Sequence, residues 1–226
     1  SSNKNILYSI EDSFYGKNRI FALDVSSTPA KLNQEIVISD ENDVFSAFSV
    51  VMLEDTEVAD NHETRLSVFD EADLNTLINS DKSVNIDPEG IAIASDGGFW
   101  IASEGSGTQG DNSRPINSLN FIFKTDNNGL IEHVITLPDE VNALQRRFGF
   151  EGVTEYNDSV YIAFQRAWNN EGQARIGVYD TISQNWSFFY YPLDATESQN
   201  GGWVGLSDIT SLGDGKFMTP LTVNGL

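Results

Sequence analysis

The same hairpin occurs twice in this chain, 62 residues apart. "PEGIAIASDGGFWIASEG" and "FEGVTEYNDSVYIAFQR" each open on Glu-Gly, pass through a polar Asp-containing turn and close with an aromatic-rich strand ending in Glu or Gln. A weaker third copy is "LSDITSLGDGKFMTPLT". The strands that follow repeat as well. "RIFALD", "FIFKTD" and "RIGVYD" alternate in polarity and end on Asp before a turn, and "KLNQEIVIS", "LIEHVITLP" and "NWSFFYYPL" come after them. Pro138 and Pro192 stand at the same offset from Asp126 and Asp180. The unit is four short antiparallel strands, and its repetition points to an all-β chain folded as a β-propeller.

Residues 1–226 read as a single domain, with roughly three and a half blades where a closed ring needs about four. A partial ring, incomplete at both ends, is expected. The chain enters mid-blade at "LYSIED" and stops after a second strand near Leu226, where Pro220 in "MTPLTVNGL" removes a ladder donor. Residues 40–84 break the pattern and read as an acidic insertion or an irregular blade. There "SAFSVVML" and "TRLSVF" have strand character, while "DEADLNTLIN" has the acidic start and helical apolar spacing (Leu74, Leu77, Ile78) of one short helix.

Counting outward from the turns sets the expected pairing. With residues 95–98 as a loop, Ala94 faces Phe99 and Glu89 faces Glu104. With 157–159 as a loop, Tyr156 faces Val160 and Glu151 faces Gln165, although a bulge would shift that register by one. The third hairpin places Ser207 opposite Thr222. In a propeller the first strand of each blade lines the channel, and strand one begins on the face where strand two ends. Glu89, Glu104, Glu151 and Gln165, with Ser207 and Asp208, therefore gather at one channel mouth. Carboxylates so placed repel one another unless water, a shared proton or a cation compensates. Hard oxygens in a ring suit Ca²⁺, with Glu89, Glu104, Glu151 and Asp208 as ligands. The competing reading makes Glu-Gly a recurring turn or bulge whose carboxylate bonds backbone amides.

Composition narrows the partners. Thirteen basic residues against 34 acidic ones give a net charge of −21, which excludes nucleic acid and anionic membrane surfaces. There is no cysteine, hence no thiolate chemistry, and no apolar run approaches the roughly 18 residues of a membrane span. The start "SSNKN" lacks Met, as after removal of an export signal or at a boundary cut within a longer sequence. The two histidines, His62 in the acidic insertion and His133 on an outer strand, neighbour no Gly-x-Ser-x-Gly elbow. Ser103 and Ser207 are accordingly weak nucleophiles, and hydrolysis would rest on Glu89, Glu104 and Glu151 with a metal.

Substrate contacts are expected from Gln165, Arg166, Trp168 and Trp203. Arg166 suits an anionic group or a salt bridge between blades. Trp168 and Trp203 fall in loop-like stretches, whereas Trp100, Tyr161, Trp186, Phe188 and Tyr190 read as packing between blades. Arg146, Arg147 and "DNSRPIN" are weaker loop candidates of the same kind as Arg166.

Taken in order, "DPEGIAIASDGGFWIASEG", "LP", "GFEGVTEYNDSVYIAFQRAW", "RIGVYD", "YPLD" and "WVGLSDITSLGDGKF" resemble the family labelled esterase-like activity of phytase, from about Leu7 to Phe217. The likeness departs at "MTPLTVNGL", where the family's strand ends "ERD". It implies an exported, phytase-like β-propeller, periplasmic or extracellular, acting on a small-molecule ester or phosphoester. Two functions follow: a secreted, metal-assisted ester or phosphoester hydrolase, of which a gluconolactonase-like metal propeller is a variant, or a propeller that binds a ligand or protein and uses its carboxylates structurally.

Overall fold

A computed structural model describes residues 5–12, 16–47, 75–168, 171–196 and 200–224. The chain is all-β, built as successive antiparallel sheets in a partial propeller. The first sheet has three strands, β1 (Ile6–Ile10), β2 (Arg19–Asp24) and β3 (Lys31–Val37), ordered β1-β2-β3. The second is a four-stranded meander of β4 (Pro88–Ile93), β5 (Phe99–Ser103), β6 (Phe121–Thr125) and β7 (Ile131–Thr136). After a short helix α1 (Asp139–Asn142), the third repeats it with β8 (Phe150–Tyr156), β9 (Ser159–Phe164), β10 (Ala174–Asp180) and β11 (Trp186–Tyr191). The fourth comprises two pairs: β12 (Trp203–Leu206) with β15 (Leu221–Asn224), and β13 (Thr210–Gly213) with β14 (Lys216–Met218).

Of residues 40–84, those at 48–74 lie outside the described residues, and with them His62, "TRLSVF" and most of "SAFSVVML". At the margins there are helical turns at 44–47 and 75–77, and Leu77 is buried. Pro220 ends the fourth hairpin. β14 stops at Met218 and the chain turns back to pair with β12, with the Pro220 carbonyl accepting from Ser207 N–H.

Period-two alternation explains the layers. On β5, Phe99 and Ile101 join the apolar cluster shared with the first sheet, while Trp100 and Ala102 join the cluster shared with the third. On β6, Phe121 and Phe123 face one way and Ile122 the other. Each middle sheet is thus apolar on both faces, and each fully buried Phe or Ile contributes about 2 kcal/mol. Of the aromatics expected to pack between blades, Trp100, Tyr161, Trp186 and Phe188 do so, whereas Tyr190 is exposed. Tyr161 lies 4.3 Å from Phe217, and Trp186 and Phe188, stacked on each other along β11, join the cluster shared with the second sheet. The recurring Asp after the third strand of each blade is turn chemistry. Asp24, Asp126 and Asp180 each accept the amide two residues on, from Ser26, Asn128 and Ile182.

The expected registers are wrong by one residue at the first two turns and by two in the third hairpin. Ile93, not Ala94, pairs with Phe99, and Tyr156 pairs with Ser159 across a two-residue turn. In the third hairpin Thr222 pairs with Gly205 rather than Ser207. At the first two turns the loop is one residue longer and one residue shorter than expected, and a β-bulge at the same place in both copies then shifts the register again. Pro88 pairs with Ser103 and Gly90 with Ala102, leaving Glu89 as the extra residue, and Glu151 is the extra residue between Phe150 and Gly152. Glu89 therefore does not face Glu104, whose N–H bonds instead to the Asp87 carbonyl at 2.8 Å.

Glycine follows the bulge because the next blade passes there. A Cβ on Gly90 would stand 2.8 Å from Gly152 Cα, and one on Gly152 would stand 2.5 Å from Asp208 Cα. The backbones of β4, β8 and the segment entering β13 thus meet at the channel through hydrogen atoms alone. Gly152→Ala is expected to lose about 3 kcal/mol in a denaturant titration, because backbone rather than a flexible side chain must yield. Gly172→Ala, with open space around it, is the neutral control.

Candidate functional site

The two bulges re-aim their glutamates to the same opening. Asp12 arrives just after β1, Asp87 and Glu89 flank the start of β4, Glu104 follows β5, and Glu151 sits in β8. Ligand oxygens of Asp12, Asp87 and Glu89 all lie within 4.8 Å of one another. Glu104, in place of pairing with Glu89, accepts the amide N–H groups of Phe148 and Gly149 from the third sheet. Glu151 accepts from Gln165 Nε2. The Gln165 Oε1 is buried and has no hydrogen-bond partner among the described residues, leaving an acceptor beside the carboxylates for a proton or cation to meet.

Crowding of like charge in a partly desolvated mouth is visible in the acidities. Burial raises Glu89 to about 9, and the charges of Glu151, Asp12, Asp87 and Glu104 push the same way. Burial, then Glu104, Asp12 and Asp87, raise Glu151 to about 8. Burial takes Glu104 only to about 7, because the two amides favour its charged form against Asp87 and Asp12. Asp208 is raised by burial, offset by the Ile209 amide; its neighbour is Gly152, and no charge from the glutamates acts on it. Of the four expected metal ligands, the close oxygen triad among the described residues contains Glu89 but not Glu104, Glu151 or Asp208.

Asp12 and Asp87 were missed by the sequence reading. Asp87 stands in the quoted "DPEG", and extending the repeat from "WIASEG" to "LYSIED" brings Glu11 and Asp12 to the place of Glu104. The serines are tied up: Ser103 Oγ accepts the Asp87 amide and Ser207 Oγ donates to the Pro220 carbonyl. His133 is exposed. It lines a groove of about 880 Å³ at the turn end of the second and third sheets, away from the glutamates. The charged groups there satisfy one another: Lys124 pairs with Asp96 and Glu132, and Glu155 accepts from Trp100 Nε1 and Ser95.

The substrate-contact candidates divide. Gln165 touches Glu151, and Arg166 lies over the rings of Trp203 at 4.8 Å and Phe148 at 5.0 Å. Trp203 opens a strand rather than a loop and is half-buried. Trp168 is placed otherwise than expected. It is 1 % exposed within the core between the second and third sheets, where its Nε1 donates to the Phe148 carbonyl, so its ring has no face left for a ligand. An indole buried with its N–H satisfied is a packing anchor.

The family model for phytase-like proteins, described as esterase-like activity of phytase, matches residues 1–219. No curated protein and no solved structure matches the chain. No helix among the described residues is long and apolar enough to cross a membrane.

Proposed function

From a chain that belongs to the phytase-like family, described as esterase-like activity of phytase, we propose a metal-assisted ester or phosphoester hydrolase that works at the carboxylate mouth. The observation that carries this reading is the meeting of Asp12, Asp87, Glu89, Glu104 and Glu151, drawn from three successive sheets, each glutamate pushed toward protonation by its neighbours. The donor set fits Ca²⁺: it is all oxygen, the close triad of Asp12, Asp87 and Glu89 is anionic, and the unpartnered Gln165 Oε1 offers a neutral ligand. A bound divalent cation supplies Lewis acidity toward a carbonyl or phosphoryl oxygen and a more acidic water.

The chain's own groups have separable roles. Asp12, Asp87 and Glu89 hold the positive charge. Glu104, oriented by the Phe148 and Gly149 amides, stands fixed at the rim to take or give a proton. Glu151 and Gln165 orient each other on the next blade. A site of this charge and openness suits the millimolar calcium outside cells, in keeping with an exported, periplasmic or extracellular protein acting on a small molecule. The test is turnover of p-nitrophenyl acetate and p-nitrophenyl phosphate with calcium and with EDTA. Absence of turnover under any metal would leave the second function, a binding propeller with structural carboxylates.

A further inference from the structure

In a protein of net charge −21, Lys17, Arg19, Lys82, Lys124 and Arg175 pair with carboxylates, whereas Lys31, Arg114 and Lys216 form no salt bridge among the described residues. Nor does Arg147 or Arg166 pair with a carboxylate among the described residues. Both instead rest on one ring. The Arg147 guanidinium lies 4.4 Å and that of Arg166 5.0 Å from the centre of Phe148, and Arg166 also covers Trp203. Sharing Phe148 keeps the two guanidinium groups no farther apart than those two ring distances laid end to end. Cation–π contact occupies their faces and leaves their N–H edges to accept an anion.

Phe148 itself is strained. Its φ of 72° is left-handed, a region that a bulky side chain enters only when its surroundings force it. The surroundings that force it are specific: its N–H and that of Gly149 bond Glu104, its carbonyl accepts Trp168 Nε1, and its ring leans on Trp203. The strain thus sits at the one residue that joins the arginine pair to the carboxylate mouth.

We propose that Arg147 and Arg166, carried on Phe148 and Trp203, form a clamp for the phosphoryl group of an aryl- or alkyl-phosphate substrate, and so decide a phosphoester over a neutral ester. The proposal rests on the hydrolase reading for its catalytic consequence but not for binding. Two bidentate guanidinium forks match the geometry of a phosphate dianion, and they offset locally the negative field that repels it elsewhere. The faces of Phe148 and Trp203 carry the arginines, and the edges of the two rings are left to meet the organic part of the ester.

The test is calorimetric titration of the whole chain with inorganic phosphate and with phenyl phosphate in EDTA and low salt, so that no metal bridges the anion. Both bind, phenyl phosphate more tightly because its ring meets Phe148 and Trp203; equal affinity assigns the site to free phosphate and overturns the substrate half of the proposal. Arg166→Ala and Arg147→Ala each weaken binding about tenfold, as for loss of a charged hydrogen bond. Arg166→Lys restores only part, since an ammonium lacks the fork. Phe148→Gly relieves the backbone, keeps or raises the melting temperature, and still loses phosphate binding. Undetectable binding, or binding unchanged in the double arginine variant, overturns the clamp. Phosphate binding without turnover of any ester sinks the hydrolase reading alone, whereas acetate turnover without phosphate binding sinks the clamp alone.

Discussion

EDTA is expected to abolish turnover of p-nitrophenyl acetate and p-nitrophenyl phosphate, and Glu89→Gln to do so even with calcium present, each by at least about 100-fold. Glu89 is the residue expected to matter most, because it belongs to the close oxygen triad and also feels the charge of Glu151 across the channel. The glutamine keeps the bulge, the length and the hydrogen-bonding capacity, and removes only the charge. A fall in kcat with little change in KM marks loss of charge stabilisation in the transition state rather than of substrate binding. Asp208→Asn, which lies outside the triad, is expected to leave calcium-supported turnover within about threefold. Full activity of Glu89→Gln in EDTA would remove the metal and this carboxylate from the chemistry together.

The second large effect is an inverted pH profile of stability. Without calcium the protein melts higher near about pH 5.5 than near about pH 9, by on the order of 10 °C. The sign follows from the raised acidities of Glu104, Glu151 and Glu89, at about 7, 8 and 9 against an ordinary 4.5. Between these values the folded chain holds protons that the unfolded chain has released, so stability falls as pH rises. It is fully present below 4.5 and lost on passing through about 7, 8 and 9. Asp24, Asp126 and Asp180, lowered from an ordinary 3.8, act oppositely and only at lower pH, where falling pH removes the stability they add. Calcium is expected to replace the protons, so that its addition at about pH 8 releases acid into a weakly buffered solution and restores the melting temperature. Glu89→Gln flattens the profile, with a gain of about 5 °C at about pH 9. A melting temperature flat or rising across this range would mean that the glutamates are too well hydrated to repel.

Much of the fold was legible because repetition shows through one sequence. Alternation in "FIFKTD" and "RIGVYD", the Asp that closes each, and the Glu-Gly at each blade entrance fix strand number, order and the face that holds the carboxylates. The register was not legible. Counting from a turn assumes the loop length and one residue opposite one; both loops differ from the count by one residue, and the bulges at Glu89 and Glu151 add an unpaired residue that leaves no mark in the pattern of polarity. Trp168 misled for a related reason: it lies in an irregular stretch, yet its ring is turned into the core by a bond to a carbonyl 20 residues earlier.

What the sequence alone determined is therefore the blade, its order and the mouth to which its acidic residues run, because those depend on period-two burial and on turn chemistry within about 20 residues. What only the tertiary structure decided is which charges meet. Asp12 reaches Glu89 from another sheet, Glu104 turns to the amides of Phe148 and Gly149 rather than to its strand neighbour, and two arginines share one ring. Such meetings depend on how closely adjacent blades approach, and here glycine at 90 and 152 sets that distance by omitting a side chain. Local pattern carries no record of it, because the atoms in contact lie some sixty residues apart in the chain.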